Sequence, residues 1–186
     1  MPRHTSAMLL AVLAAAVLAG CAPSSGGGAG TGGTRESSPA AAPASPASVD
    51  PVAAADVLCA ESSRGEGEAC VLEGVTAADD LRFTSYRVVK LVGGSFDGTV
   101  EISGAEEAVV IDGSFGGDLT LDPRGGSVVK VSTIAGTLAI DGGHGATVVD
   151  TTIGADLRCA AGVQAGGGGN DVAGAVTGTC DRTVRP

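Results

Sequence analysis

Cysteine offers this 186-residue chain its widest choice of chemistry, and its five copies, Cys21, Cys59, Cys70, Cys159 and Cys180, divide into one and four. Thiolates hold zinc when they come as Cys-x-x-Cys pairs or beside clustered histidines. Neither pattern occurs, so no metal site is expected. Four thiols in an exported chain instead read as two disulfides, with three connectivities open. Local pairing, Cys59 with Cys70 and Cys159 with Cys180, is the simplest, because each pair flanks one end of a repeat region. Acid–base chemistry has four aspartates to draw on, Asp112, Asp122, Asp141 and Asp150, all at the ends of expected strands. Two of them could serve a polysaccharide-acting enzyme as acid and base. Aspartate is also a common turn residue, and nothing in the spacing selects a pair. His144 lies in Gly142-Gly143-His144-Gly145 with no Gly-x-Ser-x-Gly or Ser-x-x-Lys nucleophile to serve, and reads as a solvated loop residue. No catalytic residue and no cofactor are assigned.

Cys21 stands apart from the other four. A short n-region with Arg3 precedes the apolar run Ala7 to Val17, and Leu18-Ala19-Gly20 lead directly into Cys21. A run this short, ending in small residues, is a secretory signal rather than a membrane span. Leu-Ala-Gly-Cys is similar to the bacterial lipobox. The resemblance implies removal of residues 1–20 as a lipoprotein signal peptide and attachment of lipid to the Cys21 sulfur. Membrane lipid is then the first partner, and the address is the outer face of the bacterial cytoplasmic membrane or the wider cell envelope. Two or three acyl chains hold firmly, at about 0.8 kcal/mol per buried CH₂. Residues 21–55 that follow are mostly Gly, Ser, Ala, Pro and Thr, and read as a disordered linker reaching on the order of 30 Å. The net charge of −10 disfavours nucleic acid as a partner.

The elements that must position everything else are set by a period of nineteen. Leu81, Val100, Leu119, Leu138, Leu157 and Val176 fall at that spacing, and Phe83, Ile102, Leu121, Ile140 and Cys159 run two residues behind. A third column holds Phe96, Phe115, Ile134, Ile153 and Val172, and a fourth Leu91, Val110, Val129 and Val148. One repeat of nineteen residues cannot bury its own apolar side, whereas stacked copies can. Short β-branched runs such as Ala108-Val109-Val110-Ile111, split by Gly and Asp, are strand and turn signals. The expectation is an all-β chain: a single-stranded parallel β-helix of about five to six coils with disulfide-closed ends. The domain is placed at residues 56–186, with its repeats over about 71–180. Val57 to Ala60 read as a short helical turn or strand. Gly166-Gly167-Gly168-Gly169-Asn170-Asp171 resembles one copy of a calcium-binding nonapeptide, but such sites need consecutive copies, so it reads as a loop before the last coil.

Several polar columns accompany the apolar ones. Ser95, Ser114, Thr133 and Thr152 form a hydroxyl column, and Thr99, Asp118, Thr137 and Asp156 alternate hydroxyl with carboxylate. Alternation keeps like charges off neighbouring strands. Both columns are candidate outward binding surfaces. Gly98, Gly117, Gly136 and Gly174 share a position that suits either a positive φ or a lack of room for a Cβ. Saccharide platforms are short of material: there is one Tyr, there are three Phe and there is no Trp. The three Phe fall in inward columns, which leaves Tyr86.

From Val109-Val110-Ile111-Asp112-Gly113-Ser114 through Gly117-Asp118-Leu119-Thr120-Leu121, the chain resembles a group of small secreted bacterial β-solenoid proteins. The stretch Thr152-Ile153-Gly154-Ala155-Asp156-Leu157-Arg158-Cys159, with Asn170, Val172-Ala173-Gly174 and Cys180, is similar to that group's closing coil, where the two cysteines are taken as a bridge. The group supplies a fold and no activity. Bactofilins, polymer-forming cytoskeletal β-helices, have a similar coil, but they generally lack export signals and cysteines. The function expected is therefore structural, adhesive or binding, toward an envelope glycan or an envelope protein, without catalysis. The two alternatives are the strand-end aspartate enzyme and a bactofilin-like solenoid that assembles end to end.

Overall fold

The computed structural model describes residues 49–62 and 68–184. Cys21, the signal segment and most of the linker lie outside the described residues. The body is a three-sided parallel β-solenoid of six coils, each of nineteen residues. Every coil contributes one strand to each of three six-stranded sheets. The first sheet stacks Ala69–Glu73, Val88–Val92, Glu107–Ile111, Gly126–Lys130, Gly145–Val149 and Gln164–Gly168. The second stacks the two-residue strands Thr76–Ala77, Ser95–Phe96, Ser114–Phe115, Thr133–Ile134, Thr152–Ile153 and Asp171–Val172. The third stacks Leu81–Phe83, Val100–Ser103, Leu119–Asp122, Leu138–Ile140, Leu157–Cys159 and Val176–Gly178. Register follows the period without a slip: Leu81 faces Val100, Leu119 faces Leu138 and Leu157 faces Val176.

The four apolar columns all point inward. In the third coil Ala108, Val110, Phe115, Leu119 and Leu121 are each at most 1% exposed. Phe96 stacks on Phe115 with ring centroids 5.1 Å apart. Small residues at Ala108, Ser127 and Ala146 leave room for the large ones beside them, as a narrow three-walled interior requires.

Two corner columns explain the glycine and aspartate pattern. Between the first and second sheets every coil turns through the left-handed region, at Gly74, Gly93, Asp112, Val131, Asp150 and Gly169, with φ from 50° to 70°. Glycine takes that conformation freely, aspartate tolerates it, and a β-branched valine is strained there. The Gly98, Gly117, Gly136 and Gly174 column is of the other kind. None of these four has a positive φ; a Cβ on Gly117 would stand 2.8 Å from the Gly98 carbonyl oxygen, and one on Gly136 2.7 Å from that of Gly117. Successive coils approach too closely there for a side chain.

Both ends are closed, and both disulfides have the local pairing: Cys59 with Cys70 and Cys159 with Cys180. At the first end stands a twelve-residue helix, α1 (Pro51–Ser62), longer than the short turn or strand expected over Val57 to Ala60. It opens inside the stretch that composition assigned to the linker. Asp50 caps it, its Oδ1 accepting the N–H groups of Val52 and Ala53 at 2.9 and 3.3 Å, and Pro51 takes the first helical position. Ala55 and Cys59 are buried against the first coil. At the other end a 3₁₀ turn, Thr179–Arg182, packs over the last coil. The glycine run that read as a loop is the last strand of the first sheet, paired residue for residue with Gly145–Val149. Its corner is tied by Asn170, whose amide donates to the carbonyls of Val148 and Thr183 and whose Oδ1 accepts from Thr151 N–H.

Candidate functional site

With the interior assigned, the residues free to meet a partner are the outward columns of three flat faces, and these differ in chemistry. The third sheet turns out Arg82, Glu101, Thr120, Ala139, Arg158 and Thr177. Its outward Arg82, Glu101 and Arg158 are all in ion pairs. Arg82 meets Glu101 at 2.8 Å, and Arg158 meets Asp156 at 2.8 Å.

On the second sheet the hydroxyl column is a continuous outward ladder, Thr76–Ser95–Ser114–Thr133–Thr152–Asp171, in register. The carboxylate column beside it has a different job. Asp118 Oδ1 accepts the N–H of Thr137 at 2.7 Å, and Asp156 Oδ1 that of Ala175 at 2.9 Å. Asp80, in the first coil, accepts likewise from Thr99 at 2.7 Å. Each aspartate thus ties its own coil to the backbone of the next, nineteen residues on. The Arg158 guanidinium and this backbone donor hold the Asp156 carboxyl below its ordinary value. A spacing of two coils between successive aspartates was the signal for this tie, because each spans one inter-coil step.

The four strand-end aspartates do not gather. Asp112 and Asp150 sit in the left-handed corner after the first sheet, two coils apart, whereas Asp122 ends its third-sheet strand and Asp141, at the equivalent position of the next coil, follows its own. None of the four lines the clefts described below. His144 is exposed in its turn, where its backbone N–H donates to the Gly125 carbonyl. Tyr86 serves the first cap: its hydroxyl donates to Asp56 of α1 at 2.9 Å, and its ring meets Phe83 edge to face. Loss of solvent, followed by the Asp56 carboxylate, pushes the phenol up to about 12.

The first sheet is the exception among the faces. Its outward residues through five coils are Ala69, Val71 and Glu73, then Val88, Lys90 and Val92, then Glu107, Val109 and Ile111, then Gly126, Val128 and Lys130, then Gly145, Thr147 and Val149. The commonest type among them is valine or isoleucine, seven of these fifteen, and most of the fifteen are only half-buried. Strands apolar on both sides belong to parallel sheets covered on both sides. The inner side here is covered by the core, and the outer side faces solvent. Along one edge of this face runs a groove of about 780 Å³ across the coils, floored by Gly126 and Gly145 and rimmed by Glu68, Arg87 and Glu106. A smaller cleft of about 410 Å³ lies between α1 and the first coil.

Both lysines of the chain, Lys90 and Lys130, stand on this same face. Sequence reasoning listed the apolar runs but did not single out the surface. When inward and outward residues are both valine, the two-residue alternation that separates them disappears. Among the described residues no helix is long and apolar enough to cross a membrane, and no cluster of His, Cys, Asp and Glu is arranged to hold a metal. No protein-family model matches the chain, and no curated protein and no solved structure matches it either.

Proposed function

We propose that this chain is a non-catalytic binding module of the bacterial cell envelope, tethered to the membrane by lipid on Cys21 and making its contact through the outer face of the first sheet. The observation that carries the reading is the row Val71, Val92, Ile111, Val128 and Val149, half-buried around the buried Val109 on the outer side of a parallel sheet. A contiguous exposed apolar patch on a soluble domain marks an interaction surface. Its chemistry favours a protein over a glycan. There is no exposed aromatic platform among these residues, and β-branched side chains present a dry, flat contact.

The experiment is photo-crosslinking in intact cells from Ile111 and, as a matched control, from Thr120 on the third sheet. Adducts from Ile111 and none from Thr120 are expected; the opposite distribution overturns the reading. The anchor has its own test. Cys21→Ala is expected to move the protein out of the membrane fraction or to stall its maturation. Full membrane attachment of that variant would refute lipidation.

A further inference from the structure

The first-sheet face carries four charges on its first four coils, one per coil, and their signs alternate: Glu73, Lys90, Glu107, Lys130. The fifth coil and the sixth carry none on this face. None of the four forms an ion pair within the described residues, whose ion pairs join Arg82 to Glu101, Arg87 to Glu68 and Arg158 to Asp156. Alternation down one column would be explained by repulsion between adjacent strands. These four do not share a column: Glu107 stands at the first position of its strand, Lys90 at the third, and Glu73 and Lys130 at the fifth. The pattern therefore needs another cause.

We infer that the partner of this face is a second copy of the chain, packed face to face with its coils in the reverse order, the first coil over the partner's fourth and the second over its third. The inference rests on the reading that this face is the contact surface. A twofold axis along the strand direction reverses the coils and sets each column opposite itself. Glu73 then meets Lys130 across the interface, twice by symmetry. Lys90 comes opposite Val109, within the reach of a lysine side chain from Glu107 on the same facing strand. The centre closes on apolar groups, Val92 over Ile111 and Val71 over Val128. On the rim the same operation brings Arg87 over Glu106, the residues that border the groove.

The other face-to-face twofold, along the solenoid axis, sets every coil on its own counterpart. It would oppose Lys90 to Lys90 and leave Glu73, Glu107 and Lys130 facing Ala69, Ile111 and Gly126 without a counter-charge, so the charges select the antiparallel arrangement. An isologous contact of this kind is self-complementary and closes at two copies.

The footprint sets the strength. Four five-residue strands cover about 19 Å by 16 Å, on the order of 300 Å² per copy. A standard interface uses about 800 Å² per partner, so this pairing is weak in free solution. Tethering two copies to one membrane raises their effective concentration and favours it.

The test uses the full chain with Cys21→Ser, followed by sedimentation equilibrium up to about 1 mM, the range in which a contact of a few kcal/mol is populated. A monomer–dimer equilibrium is expected. Lys130→Glu should weaken it about tenfold, and adding Glu73→Lys to that variant should restore it. All three chains should keep the same melting temperature, since Glu73 and Lys130 are exposed. Association that ignores the single reversal, or that the double swap fails to rescue, overturns the inference. So does a wild-type chain that stays monomeric throughout. In that case adducts from Ile111 to a different envelope protein would leave the contact-surface reading standing, and the absence of any Ile111 adduct would remove that reading as well.

Discussion

Ser127 is a residue whose chemistry contradicts its surroundings. Its hydroxyl is buried in the core column between Ala108 and Ala146, and it has no hydrogen-bond partner among the protein's groups. An unsatisfied buried hydroxyl costs about 1–3 kcal/mol. The neighbours above and below are both alanine, so the site accepts a methyl group without a cavity. Ser127→Ala is therefore expected to stabilise the protein by about 1 kcal/mol, read as a higher midpoint in chemical denaturation with an unchanged slope. A loss of stability would mean that the hydroxyl has a partner, such as a buried water. Ser132 and Thr151, two coils of the adjacent corner column, show the contrast. Their hydroxyls donate to Lys130 and Val149 carbonyls, and both are satisfied although buried. Val131 is the second outlier, a β-branched side chain at φ 51° where its column otherwise uses glycine and aspartate, and it is 57% exposed beside Lys130. The nineteen-residue count displays its place in that column. It does not display the strain, because the column's left-handed conformation is a backbone property.

Among the elements, sequence reasoning underestimated α1 as well as the glycine-run strand. The helix's alanines and Pro51 blended into a linker of the same composition, and its period carried almost no amphipathic signal. The local signal was Asp50-Pro51, a capping residue followed by proline at the first helical position. The other strands were legible for the opposite reason, since six copies in register repeat each inward choice, and one ambiguous residue is outvoted by its column. What the count could not show was which outward column is free and which is spent: the carboxylates of Asp118 and Asp156 are engaged on backbone N–H groups one coil away.

The cap helix is fastened by Cys59–Cys70 and by the Tyr86 hydroxyl on Asp56. Burial, and then the Asp56 carboxylate, raise the Tyr86 phenol from its ordinary 10.0 to about 12. A raised folded value means the neutral phenol is favoured by folding. This contribution is complete below pH 10 and is lost as the pH climbs from 10 toward 12. Tyr86 is the only tyrosine, so its phenolate absorbance reports one site. Its titration should be displaced upward in the native protein and return to the ordinary value on unfolding. Tyr86→Phe should remove this part of the alkaline loss of stability. A native titration at the ordinary value would show that the hydroxyl is not engaged with Asp56.

At the scale of the whole molecule, a solenoid is held by contacts between neighbouring coils, so its two ends answer for themselves. The first coil carries a full interior, with Leu72, Leu81 and Phe83 all buried, and α1 covers it. The sixth coil does not. Its inward positions are Ala165, Gly167, Val172, Val176 and Gly178, and of these only Ala165 is buried. Polar and covalent ties stand in for the missing packing. Cys180 bonds to Cys159 of the coil before, Asn170 joins Val148 to Thr183, and the Thr179 hydroxyl donates to the Val163 carbonyl at 2.6 Å.

Cutting the covalent tie should consequently free this coil and little else. A double variant, Cys159→Ala with Cys180→Ala, removes a link that closes a loop of about twenty residues, a contribution of about 3 kcal/mol. Amide hydrogen exchange is the suitable measurement because it resolves local opening from global unfolding. Backbone amides from Gln164 to Thr183 are expected to lose about two orders of magnitude of protection, while those of the second to fourth coils stay as they were. Uniform loss of protection along all six coils would show that the body unfolds as one cooperative unit, and the coil-by-coil account of its stability would fall.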